Sequence, residues 1–378
     1  MASIGSPFVV IAAISLILGL AAGFIMHRSD FCIAGMFRDL FLFRRFVMVK
    51  SLVLLVVSSM VLFEAARLGG LLNVPFPLLY APTPANLIGG LLFGIGMVLA
   101  GGCVVGTLYK MGSGSVLSMI AFIGIISGSG LYAEYHPAWT AFARSTVLFP
   151  GKVTVAQILG IDPLLPVLFV AIPGALLLFT WHKNGELTRP SFAAGYVQPP
   201  RAALMISLVS AASYVLIGMP LGVTSSFTKI AGFAERMLFK DHFESLAFFK
   251  AVPLNTTHAL TGALLQGGGG PVLDALAIIQ FPLVIGIIAG SAISAFFLKE
   301  LKLHFRVPFR QYILAASGGI MMGLASRMAP TCNVWHLMGG LPILAVSSIL
   351  FLIGILPGAW LGGKVLVMVL EHRSTELK

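Results

Sequence analysis

Charge is what this chain has least of. Only 10% of its 378 residues are Asp, Glu, Lys or Arg, where a soluble domain carries roughly 25%, so a water-solvated globule is excluded. Cysteine is scarcer still: three residues, an odd number that leaves at least one thiol outside any disulfide. No Cys-x-x-Cys or His-x-x-x-His spacing occurs, which argues against zinc and against an iron–sulfur centre, both of which need four close ligands. The absence of a Gly-x-x-x-x-Gly-Lys-[Ser/Thr] run removes a phosphate loop for ATP. The apolar runs lack period-2 alternation, which disfavours a membrane barrel. No basic leader with a small-residue cleavage site precedes the first run near Pro7, so that run is expected to be a retained helix. Nothing resembles a basic and aromatic face for nucleic acid.

What remains is apolar. The chain is 58% hydrophobic with a mean hydropathy of +0.99, and runs of about 20 residues, the length of a bilayer-crossing helix, recur throughout. The expected fold class is all-α: a polytopic membrane protein with nine spans at 7–26, 46–68, 85–101, 115–134, 163–182, 202–219, 275–297, 310–328 and 343–368. Of the 24 Lys and Arg, a placement with the N-terminus outside leaves only Arg67, Arg144, Lys152, Lys229, Arg236, Lys240, Lys250 and Arg327 on the outer side. Four of these eight lie in the connection 220–274, where the charge rule is weak. An excess of basic residues marks cytoplasmic loops, so the N-terminus is expected outside and the C-terminus in the cytoplasm. Residues 243–265, interrupted by Lys250, Pro253 and Asn255, are expected as a partly buried outer segment.

One pattern is written twice. Gly89-Gly90 through Gly101-Gly102-Cys103-Val-Val-Gly-Thr-Leu-Tyr-Lys110 returns 229 residues later as Gly318-Gly319 through Ala329-Pro-Thr-Cys332-Asn-Val-Trp-His336, with Gly94/Gly323, Ala100/Ala329, Cys103/Cys332, Val105/Val334, Leu108/Leu337 and Ser118/Ser347 identical in an ungapped alignment. A fainter echo sets Ile33-Ala-Gly35 beside Ile230-Ala-Gly232, and Cys32 opposite Lys229. An odd number of spans between the copies turns the second upside down. The expected organisation is therefore a first repeat over 1–135, a crossover helix and linker over 136–200, and an inverted second repeat over 201–378. Inverted repeats are a common build of secondary transporters, with the site where the halves meet.

The links 29–43, 102–112, 224–239 and 330–340 are apolar, short and glycine-punctuated, and are expected as re-entrant half-helices, which membrane depth tolerates only inside protein or along a watery cavity. Each cysteine follows a break: Arg28-Ser-Asp-Phe-Cys32, Gly101-Gly-Cys103 and Pro330-Thr-Cys332. A half-helix starting there would turn its unpaired N–H groups and positive dipole end toward an anion. Cysteine is also a small apolar filler of membrane helices, and for one residue alone that reading is sufficient. Repeat-equivalent placement of two favours a site. A neutral thiol is a weak donor suited to a soft, polarizable sulfur, whereas hard oxyanions such as sulfate would be better served by arginine and hydroxyls. Gly102, Thr107 and Asn333 beside the thiols, and Lys229 and Arg327 on the outer side, are the further substrate-binding candidates; no catalytic residue and no metal ligand is expected.

At these residues the chain resembles the YeeE/YedE family of sulfur-compound transporters. The matching stretches are Phe31-Cys32-x-x-Gly35, Gly101-Gly-Cys103-x-x-Gly-Thr-Leu-Tyr109 and Cys332-Asn-Val-Trp-His-Leu-x-Gly-Gly-Leu-Pro342. The resemblance implies a bacterial inner-membrane permease, not an enzyme, that takes up thiosulfate with Cys32, Cys103 and Cys332 handling the ion. It also implies a small cytoplasmic TusA-like sulfur-carrier protein as partner, and no cofactor. Arg28-Ser-Asp-Phe-Cys32 followed by Phe37-Arg-Asp-Leu-Phe-Leu-Phe-Arg44 also resembles a selenium-transport branch. That leaves another sulfur or selenium species open as substrate. A membrane enzyme cleaving thiosulfate through a Cys103 persulfide is the alternative from a different class.

Overall fold

A computed structural model describes residues 6–190, 195–303, 305 and 307–376; Arg306 and Lys378, both counted on the inner side, lie outside them. The chain is 72% helical with almost no sheet. Among the described residues, nine long helices stand where the nine spans are expected: Ser6–Ser29 (α1), Val47–Leu68 (α3), Pro84–Leu99 (α4), Val116–Ser145 (α6), Leu164–Lys183 (α8), Pro199–Ile217 (α9), Ala275–Phe297 (α13), Phe309–Met328 (α14) and Val346–Glu376 (α15). Eight described stretches are long and apolar enough to cross a membrane. The exception, α14, is 20 residues long but carries Arg310 and Arg327 near its ends; it is packed among its neighbours α4 and α6.

Short helices fill the links: Ile33–Phe43 (α2), Val104–Gly112 (α5) and Thr224–Leu238 (α10), with a π-helical turn over Trp335–Gly340. The remaining helices, Val155–Leu159 (α7), Lys240–Ser245 (α11) and Ala247–Lys250 (α12), are brief. Residues 243–265 do not cross as a helix. They finish α11, form α12, and enter an antiparallel hairpin of Leu254–Thr257 (β1) and Leu264–Gly267 (β2), in which Leu254 faces Gly267.

Two boundaries run past their expected ends. Helix α6 continues to Ser145 through Pro137, well beyond the expected span end at 134, because the extension has its own anchor: Trp139 Nε1 donates to the Met328 carbonyl at 2.9 Å. Helix α15 likewise continues beyond 368.

The helices pack in a definite set of pairs: α1 on α13 and α9, α3 on α9, α4 on α15 and α14, and α6 on α14. In lipid no hydrophobic force drives such pairs together, and close backbone approach through small residues takes its place. Gly23 shows how close: a Cβ there would fall 2.0 Å from the Ile287 carbonyl oxygen of α13.

Candidate functional site

The three cysteines share one local geometry, and the backbone dictates it. Each long helix before a cysteine closes with a six-residue turn: Phe31 N–H donates to Met26 O at 3.0 Å, Gly102 N–H to Met97 O at 3.1 Å, and Thr331 N–H to Ser326 O at 2.8 Å. This wide closure satisfies a terminal carbonyl and needs a left-handed residue. Asp30 (φ 49°) and Gly101 (φ 71°) supply it in the first two breaks; Pro330 cannot, its ring fixing φ near −65°, and the positive φ moves to Thr331 (91°). The next residue is the cysteine, and its carbonyl begins the following helix. Cys32 O accepts from Met36 N–H (2.9 Å), Cys103 O from Thr107 N–H (2.7 Å) and Cys332 O from His336 N–H (3.1 Å).

All three cysteines are buried and free. The thiols of Cys32 and Cys103 lie side by side, and the Gly106 amide donates to the Cys103 sulfur at 3.3 Å. A Cβ built on Gly106 would come 2.7 Å from the Cys32 sulfur and 3.3 Å from that of Cys103. The segment after Cys332 reaches this pair through Asn333, whose side chain adjoins the Cys103 sulfur. Directly on the other side of Cys332 in sequence, Thr331 is also buried at its hydroxyl. Arg327, one turn before the break, is the charged group that acts on Cys332.

Around the thiols polar atoms are buried without hydrogen-bond partners: Thr107 Oγ1, Thr331 Oγ1, both amide atoms of Asn333, Trp335 Nε1, His336 Nε2 and Arg327 Nε. Leaving one such group unsatisfied costs about 1–3 kcal/mol, and native interiors contain few. Their concentration at the cysteine breaks leaves an unusual number of unpaired donors and acceptors in one region. His336 is otherwise well held, with Nδ1 2.9 Å from Ser348 Oγ and its ring stacked on Phe351 at 4.3 Å, the arrangement of a packing histidine. Gly102 belongs to the closing turn itself. Arg327 Nη2 donates to the Thr224 hydroxyl at the start of α10, and so ties the end of α14, just before Cys332, to the start of α10. The Tyr109 hydroxyl of α5 does the same for the breaks at Cys103 and Cys32 by donating to Asp30 at 3.1 Å.

Lys229 is a correction. It is fully buried, but its ammonium donates to Gly270 O (2.9 Å), Val272 O (3.0 Å) and Asp274 Oδ2 (2.7 Å). An ammonium has three protons, so no donor is left for an anion. The echo that set Lys229 opposite Cys32 places it at a break, whereas α10 begins at Thr224, more than one turn earlier. Lys229→Met should therefore lower stability by about 3–5 kcal/mol by stranding Asp274, seen as a lower melting temperature, while the protein that survives keeps the wild-type KM for its solute.

Among the described residues Glu134, Glu235 and His242 form the one cluster with metal-ligand atoms close together. His242 turns Nδ1 to Glu235 (2.8 Å) and Nε2 to Glu134 (3.4 Å). A different nitrogen for each carboxylate is ion pairing, and the two acids, Glu235 foremost, hold the imidazole above its usual range.

Membrane-length helices folded around a buried pair of thiols and unpaired polar atoms define a multi-pass membrane transport protein. The chain belongs to the family described as Sulphur transport, the YeeE/YedE family, whose profile matches residues 28–361. It is similar to the thiosulfate transporter TsuA of Spirochaeta thermophila, with 27% identity over 365 residues, 91% of this chain and 96% of that protein. TsuA of Escherichia coli is also 27% identical, over 92% of this chain and 93% of the relative. A probable transporter, YedE of Salmonella typhimurium, is 30% identical over a shorter stretch, 45% of this chain and 41% of its own length.

Proposed function

We propose that this protein is an inner-membrane permease that takes up thiosulfate and passes it along Cys332, Cys103 and Cys32. The observation that carries the reading is the meeting of the Cys32 and Cys103 thiols beside Asn333, the neighbour of Cys332, amid unpaired buried polar atoms. Two relatives alike over nearly their full length bear the name thiosulfate transporter. Chemistry favours the same solute. Neutral thiols donate weakly to a terminal sulfur, hold it loosely and let it move on, where thiolates would repel an anion. In this reading the solute arrives at the outer side near Arg327, meets Cys332, then Cys103 and Cys32, and leaves beside Arg28 and Arg38. The N-terminus lies outside and the C-terminus in the cytoplasm, where a small TusA-like sulfur carrier receives the product of uptake.

The helix pairs support an inverted repeat over 1–135 and 201–378. If α1, α3, α4 and α6 correspond to α9, α13, α14 and α15, the contact of α1 with α13 maps onto that of α9 with α3. The contact of α4 with α15 maps onto that of α14 with α6, and α1–α9 and α4–α14 map onto themselves. A two-fold relation between copies generates this set. Links α2, α5, α10 and the π-helical turn act as half-helices that bring the breaks together.

Purified protein in liposomes tests the permease directly. Labelled thiosulfate should accumulate inside intact. Release of sulfite without accumulation would instead support S–S cleavage at Cys103 and end the permease reading. Selenite outcompeting thiosulfate would move the substrate to the selenium species.

A further inference from the structure

Asn333 is wholly buried, and neither the oxygen nor the nitrogen of its amide has a hydrogen-bond partner. Such a group offers two donors and two acceptor lone pairs, and it is placed between Cys332, its neighbour in sequence, and the Cys103 sulfur, which its side chain adjoins. A second orphan shares the neighbourhood. The Thr107 hydroxyl, one turn after Cys103, is buried and unpartnered. It looks back at the break that carries the thiol: a Cβ on Gly102 would sit 3.5 Å from it. Two uncharged polar side chains thus lie at one break, both buried and without a hydrogen-bond partner.

We infer that Asn333, assisted by Thr107, is the specificity-determining residue that binds the oxygen end of the solute while the thiols hold its terminal sulfur. The inference rests on the permease reading above and deepens it. Thiosulfate has two chemically distinct ends, a soft terminal sulfur and three hard oxygens. Amide N–H and hydroxyl groups match the oxygens; S–H groups match the sulfur. Sulfate and hydrosulfide each satisfy only one half of such a site. Because both donors are neutral, they select the ion without trapping it as a buried cation would, and a site for passage needs that. A site built to hydrogen-bond a polar group discriminates strongly, since a solute lacking it leaves buried donors unpaired.

The test uses the full chain in liposomes, initial rates of labelled thiosulfate uptake, and unlabelled sulfate and hydrosulfide as competitors. Asn333→Leu keeps the side-chain volume and removes both amide ends; Thr107→Val removes only the hydroxyl and serves if the first variant fails to fold. The expected result for Asn333→Leu is a KM for thiosulfate raised by about tenfold or more, with a smaller change in kcat. Sulfate should lose its competition while hydrosulfide keeps its own. Thr107→Val should shift both readouts in the same direction and by less. An unchanged KM and competitor order in a folded variant overturns the inference, as does a fall in kcat alone, which a packing role would produce. If wild-type protein accumulates no thiosulfate, the permease reading fails and this one with it. Normal wild-type uptake with an indifferent Asn333→Leu sinks only the role given to Asn333.

Discussion

Cys103→Ala should leave the protein in the membrane at normal abundance and abolish growth of cells that depend on thiosulfate. Cys103 is where the two halves of the chain meet: its sulfur adjoins Cys32 on one side and Asn333 on the other, and receives the Gly106 amide. On the proposed path, removing it leaves Cys332 and Cys32 with no sulfur between them. A hydrogen bond involving a charged partner contributes about 1.5–3 kcal/mol, so losing it at the central step should slow uptake by roughly 10- to 150-fold. The cost to folding is small by comparison. The thiol caps α5 through one long hydrogen bond, and alanine fits wherever cysteine does. Cys103→Ser sharpens the result, since a hydroxyl preserves hydrogen bonding and cap but offers a hard donor where a soft one is needed. Uptake by the serine variant should fall between wild type and alanine. Wild-type growth of Cys103→Ala would remove the thiol from the transport path.

The helices were legible because bilayer length and apolar composition leave a membrane chain few options; α3 and α13 begin and end within a residue of expectation. Where the ends slipped, a tertiary contact was responsible, as with Trp139 anchoring the extra turns of α6 to α14. Cys103 and Cys332 stood out because a repeat writes the same residue twice. Cys32 has no such copy, and its place beside Cys103 depends on how α2 and α5 are brought together, which no local spacing encodes. Lys229 was misplaced for a related reason. Composition gives its charge, but its partner Asp274 lies 45 residues away, beyond a hairpin. The unpaired state of Asn333 is likewise a property of the packed interior, since any asparagine in a sequence has candidate partners until the fold denies them.

Gly106 was legible as the glycine of the Gly-Gly-Cys-x-x-Gly stretch but not as a neighbour of two thiols, yet its replacement should separate function from stability more cleanly than any other change. It lies inside α5, where glycine is about 1 kcal/mol worse than alanine, so on helix propensity Gly106→Ala ought to stabilise. The amide that donates to Cys103 is retained. What changes is space: the new methyl carbon would stand 2.7 Å from the Cys32 sulfur and 3.3 Å from that of Cys103. The nearer sulfur ends a short, rotatable side chain, so it turns away at a cost of about 0.5–1.5 kcal/mol if pushed off its rotamer, and the fold survives. The thiol pair does not, because the sulfur that receives the ion from Cys103 in the proposed relay has been moved aside and a methyl group stands between them. Gly106→Ala should therefore melt at or near the wild-type temperature while uptake drops by about tenfold or more, and Gly106→Val should be worse on both counts. Uptake at the wild-type rate in a stable Gly106→Ala protein would mean that the two thiols need not touch the same ion, and the relay from Cys103 to Cys32 would have to be abandoned even if each cysteine proved necessary by itself.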